Sequence, residues 1–222
     1  MNRTIFMLVV VAALASAGCS KKELIAQKDA QILDLQEDVA ALQAEVAEQK
    51  RMNDQLDREL ASLQDEKQVW LVEKGNLTHI TLDGAAAFAT ASAELTSDGK
   101  EAIDRIWGVV RQYPDRRVLI EGHADNRPIS PGYRWKYASN WELSSARAHA
   151  VLHYIVNGHN ADASRLAAVA YGENEPVADN GTPEGLAQNR RVVITIGSAK
   201  AMQDLISRRE SETPSPENAG GR

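Results

Sequence analysis

Residues 121–149 read EGHADNRPISPGYRWKYASNWELSSARAH, and the backbone changes state twice within them. The stretch opens as the end of an apolar run, Arg117 to Gly122, which reads as a buried strand. Residues 126–138 are broken by Pro128, Pro131 and Gly132 and read as a loop, long for a strand-to-helix connection. Ser139-Asn140-Trp141-Glu142 is a capping box, in which a hydroxyl and a carboxylate three residues apart serve each other's free N–H groups. A helix therefore starts at Ser139 and runs to about Val156, with Gly158 as its stop. Asp125 stands where the strand gives out. Arg147 stands between Leu143 and Val151 at i, i+4 spacing, so a guanidinium interrupts an apolar stripe near the helix start.

Working outward, His79 to Asp83 alternates as a strand. Residues 84–94 are small and irregular, with Phe88 their only large apolar side chain. Thr96 caps a helix to about Tyr113, with Ile103, Ile106 and Val110 on one face. Downstream, Arg165 to Gly172 is a strand and Asn180-Gly181 a turn. Thr182-Pro183 supplies the N-cap and first residue of a short helix, and Arg190 to Ile196 is the last strand. The order βαβαβαβ over residues 75–200 predicts an α/β domain of the α+β sandwich kind, its helices packed on one mixed sheet. Residues 201–222 are expected to add a helical turn or two, to Arg209, and then a mostly disordered tail rich in Ser, Pro, Glu and Gly.

Upstream, the pattern counts in sevens. With Ile25 at position a, the a positions are Ile25, Ile32, Val39, Val46, Asn53, Leu60 and Lys67. The d positions are Lys28, Leu35, Leu42, Gln49, Leu56, Leu63 and Trp70. β-Branched a residues, Leu at d and one Asn at a favour a parallel two-stranded coiled coil, so residues 19–74 are expected to be a stalk of about 70 Å. That stalk would pair two copies as a parallel homodimer through residues 25–70. A trimer, or one helix folded back on the domain, are the alternatives. Gly75-Asn76 is expected to break the helix.

Residues 1–18 have one basic residue, Arg3, then an apolar run from Ile5 to Leu14 and small residues before the single cysteine, Cys19. This is the layout of a secretory signal peptide, too short for a comfortable membrane span. Ser16-Ala17-Gly18-Cys19 resembles a bacterial lipoprotein signal, although that family prefers Leu where Ser16 stands. The resemblance implies cleavage before Cys19, its lipidation, and an acylated (palmitate) amino terminus. Ser20 in place of Asp implies the outer membrane, with a lipid anchor on its periplasmic face. An ordinary leader is the plain alternative. The whole chain carries a formal charge of −6. Residues 21–74 hold 8 Lys/Arg against 13 Asp/Glu, and residues 75–200 hold 13 against 14. Neither segment has the basic excess of a nucleic-acid binder. One cysteine excludes an intrachain disulfide, and His149 and His153 lack the Glu of a metalloprotease helix, so neither metal nor cofactor is expected.

Several separated blocks now carry a resemblance. Gly122-His123-Ala124-Asp125, Leu143-Ser144-Ser145-Ala146-Arg147, Tyr171-Gly172-Glu173-Asn174-Glu175-Pro176 and Asn189-Arg190-Arg191-Val192 resemble the OmpA-like peptidoglycan-binding domain over about residues 78–197. Asp125 to Ile129 and Ser139 to Ser144 look most like its MotB branch, and Ala124 stands where the family usually has Thr. The resemblance implies non-covalent binding of the peptidoglycan stem peptide through diaminopimelate, with Asp125 for the ammonium and Arg147 for the carboxylate. It places Asn189 and Arg190 at the pocket edge, with Asn140 and Leu143 beside them. The residues themselves agree, because a carboxylate and a guanidinium across a loop mouth suit an amino-acid ligand, and Arg grips a carboxylate bidentately. The bland alternative is an internal Asp125–Arg147 salt bridge that braces the loop. No nucleophile–base pair or metal set points to an enzyme. A MotB-like stator, anchored by an uncleaved N-terminal helix, would need a membrane helix with a carboxylate, and Ile5 to Ala17 has none.

Overall fold

The computed structural model describes residues 3–66 and 68–212, with the backbone alone for 3–20, 210 and 212. The side chain of Cys19 and residues 213–222 lie outside the described residues, as do Met1 and Asn2. Two compact units divide the chain, residues 1–48 and 49–222.

Helix α1 runs Arg3–Asp65. From residue 21 to 48 its large apolar side chains, Leu24, Ile25, Ile32, Leu33, Leu35, Val39, Leu42 and Val46, are all exposed. The second unit begins with the last turns of the same helix, and here the heptad reading must be corrected. Gln49, Asn53, Leu56, Leu60 and Leu63 are buried, with Met52 beside them, in the core of this chain's own domain. Asn53 does not set a dimer register. Its Oδ1 accepts hydrogen bonds from the Thr78 hydroxyl at 2.5 Å and Gln49 Nε2 at 3.3 Å. Tyr113 donates its hydroxyl to Gln55 at 2.9 Å, and Arg105 Nη1 donates to the Glu59 carbonyl and the Ser62 hydroxyl at 3.0 Å each. The alternative of a helix folded onto the domain thus holds for residues 49–65, and pairing of copies through 25–70 is excluded over its second half.

Trp70 is not helical either. Strand β1 (Val69–Lys74) and strand β2 (Leu77–Asp83) form an antiparallel hairpin, with Lys74 opposite Leu77. Gly75 takes φ +62°, which is open to glycine without a Cβ clash. Gly75-Asn76 is therefore a hairpin turn rather than a helix break, and the domain starts near residue 49 rather than 75. Helices α2 (Gly84–Ala87) and α3 (Ser97–Val110) follow, the latter capped by Thr96, which accepts from Gly99 N. Strand β3 (Arg116–His123) leads to α4 (Asn140–His159), whose capping box between Ser139 and Glu142 forms as expected. Gly158 lies inside α4; left-handed Asn160, φ 51°, ends it instead. Strand β4 (Leu166–Gly172), helix α5 (Pro183–Asn189, capped by Thr182) and strand β5 (Arg191–Ser198) complete the sheet.

The sheet order is β1-β2-β5-β3-β4, with β3 and β4 parallel across the α4 crossover and the other pairs antiparallel. Val118 and Ile120 of β3, Ile80 and Leu82 of β2, and Val192, Ile194 and Ile196 of β5 face one side. They pack with Ile103, Ile106 and Val110 of α3, Val151 and Ile155 of α4 and the leucines of α1. Burying each such side chain is worth about 1.5–3 kcal/mol. The other side carries polar groups. Glu121, 2% exposed, accepts from the Thr195 hydroxyl at 2.7 Å. Helix α6 (Ala199–Glu212) covers this face with Met202 and places Arg209 Nη1 2.6 Å from Glu121 Oε1. Residues 201–212 are therefore helical, a longer element than the sequence suggests.

Candidate functional site

The site begins with two close backbone approaches. At Gly122 a Cβ would lie 2.1 Å from the Ser144 carbonyl oxygen, so only glycine lets α4 cross β3 here. Ser144 in turn accepts from Gly172 N at 3.1 Å, and Ala124 N donates to the Gly172 carbonyl at 2.7 Å. These contacts hold the end of β3 against the start of α4. At Gly84 a Cβ would lie 2.4 Å from the Arg190 carbonyl oxygen, which already accepts from Gly84 N at 2.9 Å. That contact ties residue 190 to the segment after β2.

A cavity of about 470 Å³ opens between these junctions. Of the residues singled out in the sequence, Asp125, Asn140, Leu143, Arg147 and Arg190 line it. Arg127, Ile129, Tyr133 and Tyr137 add a wall from the loop, and Gly84, Ala85 and Phe88 to Ala91 form the opposite one. Arg147 is 6% exposed. Its Nε donates to the Ser92 carbonyl at 3.0 Å and its guanidinium lies 5.2 Å from the centre of the Phe88 ring. Burial pulls its pKa below the ordinary guanidinium value, and Arg190 works the same way, while Tyr137, Asp125 and Asp83 oppose the shift. Among the described residues no carboxylate forms an ion pair with Arg147.

Asp125 is 7% exposed and engaged elsewhere. Its Oδ2 accepts from Arg190 Nη1 at 2.7 Å and from Arg127 Nε at 3.3 Å, and its Oδ1 accepts from Arg127 N at 3.1 Å. The internal Asp125–Arg147 bridge is therefore not formed. Asn140 does two jobs. It lines the cavity, and its Nδ2 donates to the carbonyls of Asp125 and Arg127 at 3.1 and 3.0 Å and to Glu173 Oε2 at 2.5 Å.

Asn189 needs correcting. It is fully buried and does not line the cavity. Its Oδ1 accepts from Val177 N and Ala178 N at 2.8 and 3.1 Å, and its Nδ2 donates to the Ala178 carbonyl and Asn180 Oδ1 at 2.9 and 2.8 Å. An amide with all its capacity spent on the 177–180 loop has nothing left for a ligand. Arg191 is likewise structural, donating from Nη2 to the Glu175 carbonyl at 3.1 Å beside His123 Nδ1 at 3.2 Å. Loop 126–138 divides. Arg127, Tyr133 and Tyr137 reach the cavity, Tyr137 also accepting from Ala93 N at 3.1 Å, whereas Trp135 is 83% exposed. Sequence reading names Arg127, Tyr133 and Tyr137 only among loop side chains that could touch glycan or peptide, and it missed Phe88 and the whole 84–91 wall as parts of the site. The available signal was a lone aromatic in a run of small residues, which leaves room for a ligand.

Fold and site together define a small α/β binding domain built around a cationic pocket. The model of the OmpA family matches residues 87–190. Over 121 residues the chain is 36% identical to the uncharacterized protein YtxE of Bacillus subtilis, covering 54% of this chain and 48% of that protein. Over 113 residues it is 36% identical to the peptidoglycan-binding protein ArfA of Mycobacterium bovis, covering 51% and 32%. The solved cell wall anchor of the T6SS from Pseudomonas aeruginosa superposes with a TM-score of 0.59 at 36% identity, covering 64% of this chain and 96% of that one. Residues 87–190 form a domain of the OmpA family. The chain's match spans less than half of either curated relative.

Proposed function

We propose that this protein binds peptidoglycan non-covalently, taking the diaminopimelate of a stem peptide into the 470 Å³ cavity. The observation that carries the reading is Arg147, a buried guanidinium on the cavity wall without a carboxylate partner among the described residues. A buried charge left unpaired costs several kcal/mol, so a site that keeps one is built for an incoming anion. Arg147 takes the ligand carboxylate and Asp125 its ammonium, Asp125 loosening its contact with Arg190 as it does so. Leu143 packs against the aliphatic chain between, and Arg190 and Asn140 frame the entrance. The name of the Mycobacterium relative supports this reading.

Around that module, residues 1–18 act as a leader and Cys19 carries lipid in the outer membrane, facing the periplasm. The exposed stripe from Ile25 to Val46 pairs with a second copy, which doubles the number of sites meeting a polymeric wall. The protein is then a tether between envelope and wall. A role as wall anchor within a larger envelope machine is a second reading, favoured by the likeness to the Pseudomonas anchor. The test is co-sedimentation of the full-length chain in detergent with purified, diaminopimelate-containing peptidoglycan. The native protein should pellet, and folded Asp125→Ala and Arg147→Ala should stay in solution. A native protein that stays in solution defeats the reading.

A further inference from the structure

We infer that the cavity reads two ligand carboxylates, with Arg190 and Arg127 forming a second carboxylate subsite beside Arg147. The inference rests on the stem-peptide reading above and deepens it. Of the residues lining the cavity, three are guanidiniums, Arg127, Arg147 and Arg190, and one is a carboxylate, Asp125. Asp125 Oδ2 serves Arg190 at 2.7 Å and Arg127 at 3.3 Å together. Two nearby acids outside the lining hold other groups: Asp83 Oδ1 accepts from Ala85 N and Ala86 N at 2.8 Å each, its charge acting on Arg147 from a distance, and Glu173 Oε2 accepts from Asn140 Nδ2 at 2.5 Å. Arg190 also lies close enough to Arg147 to lower its pKa, a sign that the guanidiniums repel across the cavity.

A ligand ammonium on Asp125 brings a fourth positive charge and takes the carboxylate that Arg190 and Arg127 now share. A ligand carboxylate on Arg147 cancels that addition and no more. The Arg190 side chain is only 31% exposed, so water compensates it incompletely. A second ligand carboxylate settles on the two released guanidiniums, which already converge on one carboxylate oxygen. The ligand class is thus an ammonium–carboxylate centre with a further free carboxylate. In a stem peptide that group is either the α-carboxylate of the γ-linked D-glutamate or the C-terminal carboxylate, and amidation removes either.

The experiment is calorimetric titration of the full-length protein in detergent with the synthetic tripeptide L-Ala-γ-D-Glu-meso-diaminopimelate. Two analogues run beside it, one amidated at the D-glutamate α-carboxylate and one at the C-terminus. One of the two amidations should weaken binding about tenfold to a hundredfold, the range of a lost charge-assisted contact, and which one does so identifies the source of the carboxylate. Arg190→Gln and Arg127→Gln, checked for folding, should bind that analogue and the parent peptide nearly alike. Native protein that binds all three peptides equally overturns the second subsite and leaves the stem-peptide reading standing. Native protein that binds none of them overturns both.

Discussion

The two halves of one helix make the sharpest contrast in the molecule. Ile25, Ile32, Val39 and Val46 sit on the a positions of a heptad and are 51–56% exposed. Gln49, Asn53, Leu56, Leu60 and Leu63 continue the same register and are 0–7% exposed, inside the domain core. One periodic stripe therefore has two destinies within α1. Periodicity states which side chains share a face; it is silent about what covers that face. The polar members of the stripe tell the halves apart. Gln49 and Asn53 find Thr78 as a buried partner, a contact within the domain that a coiled coil would not provide.

The contrast breaks first under large-to-small substitution. Leu60→Ala should lower domain stability by about 2–5 kcal/mol, because it opens a cavity under the sheet. Leu35→Ala, at an exposed d position, should change the same unfolding free energy by about 0.5 kcal/mol or less and weaken the proposed self-association instead. Equal effects of the two on domain unfolding would erase the distinction.

Asn53→Leu sharpens it by sign. At a paired coiled-coil a position, replacing Asn by Leu strengthens association. Here it strips the Thr78 hydroxyl of its acceptor and Gln49 of one of its two, and should destabilise the domain by about 1–3 kcal/mol in denaturant unfolding. A stabilised domain would return Asn53 to the stalk.

Acid gives a smaller but separable effect. Burial, with Arg191 and Arg209 adding to it, lowers the His123 pKa to about 3. The unfolded chain takes up a proton below about pH 6.5 that the folded domain refuses until about pH 3. Domain stability should therefore fall as pH drops from 7 through 5, by up to about 1.4 kcal/mol per unit for this group. His79, also lowered by burial, acts in the same direction. Residues 21–48 contain no histidine, so the self-association proposed for them should stay flat between pH 7 and 6. Urea midpoints of native and His123→Phe proteins measure the slope. An unchanged slope in the variant would remove His123 as its source.

Much of the domain was legible from local chemistry. The Ser139–Glu142 capping box, the Thr182-Pro183 helix start and the Thr96 cap each satisfy neighbouring N–H groups, and all three stand where the sequence puts them. The β1–β2 hairpin was missed because a heptad carried through Trp70 made Gly75-Asn76 look like a helix stop. Asp125 and Arg147 were legible as site candidates because a charge at the end of a strand and another within an apolar stripe both need explaining. Asn189 misled because its motif neighbour, Arg190, does line the cavity while its own amide is turned to residues 177–180.

By itself the sequence determined the main strands and helices from His79 to Ile196, their order and the caps that start them, since each depends on residues within a few positions of one another. Tertiary structure alone decided that α1 ends in the core, that Asp125 is held by Arg190 across 65 positions, and that Arg147 has no carboxylate partner among the described residues. Those contacts join side chains far apart in the chain, and only the order of strands in the sheet brings them within hydrogen-bonding distance.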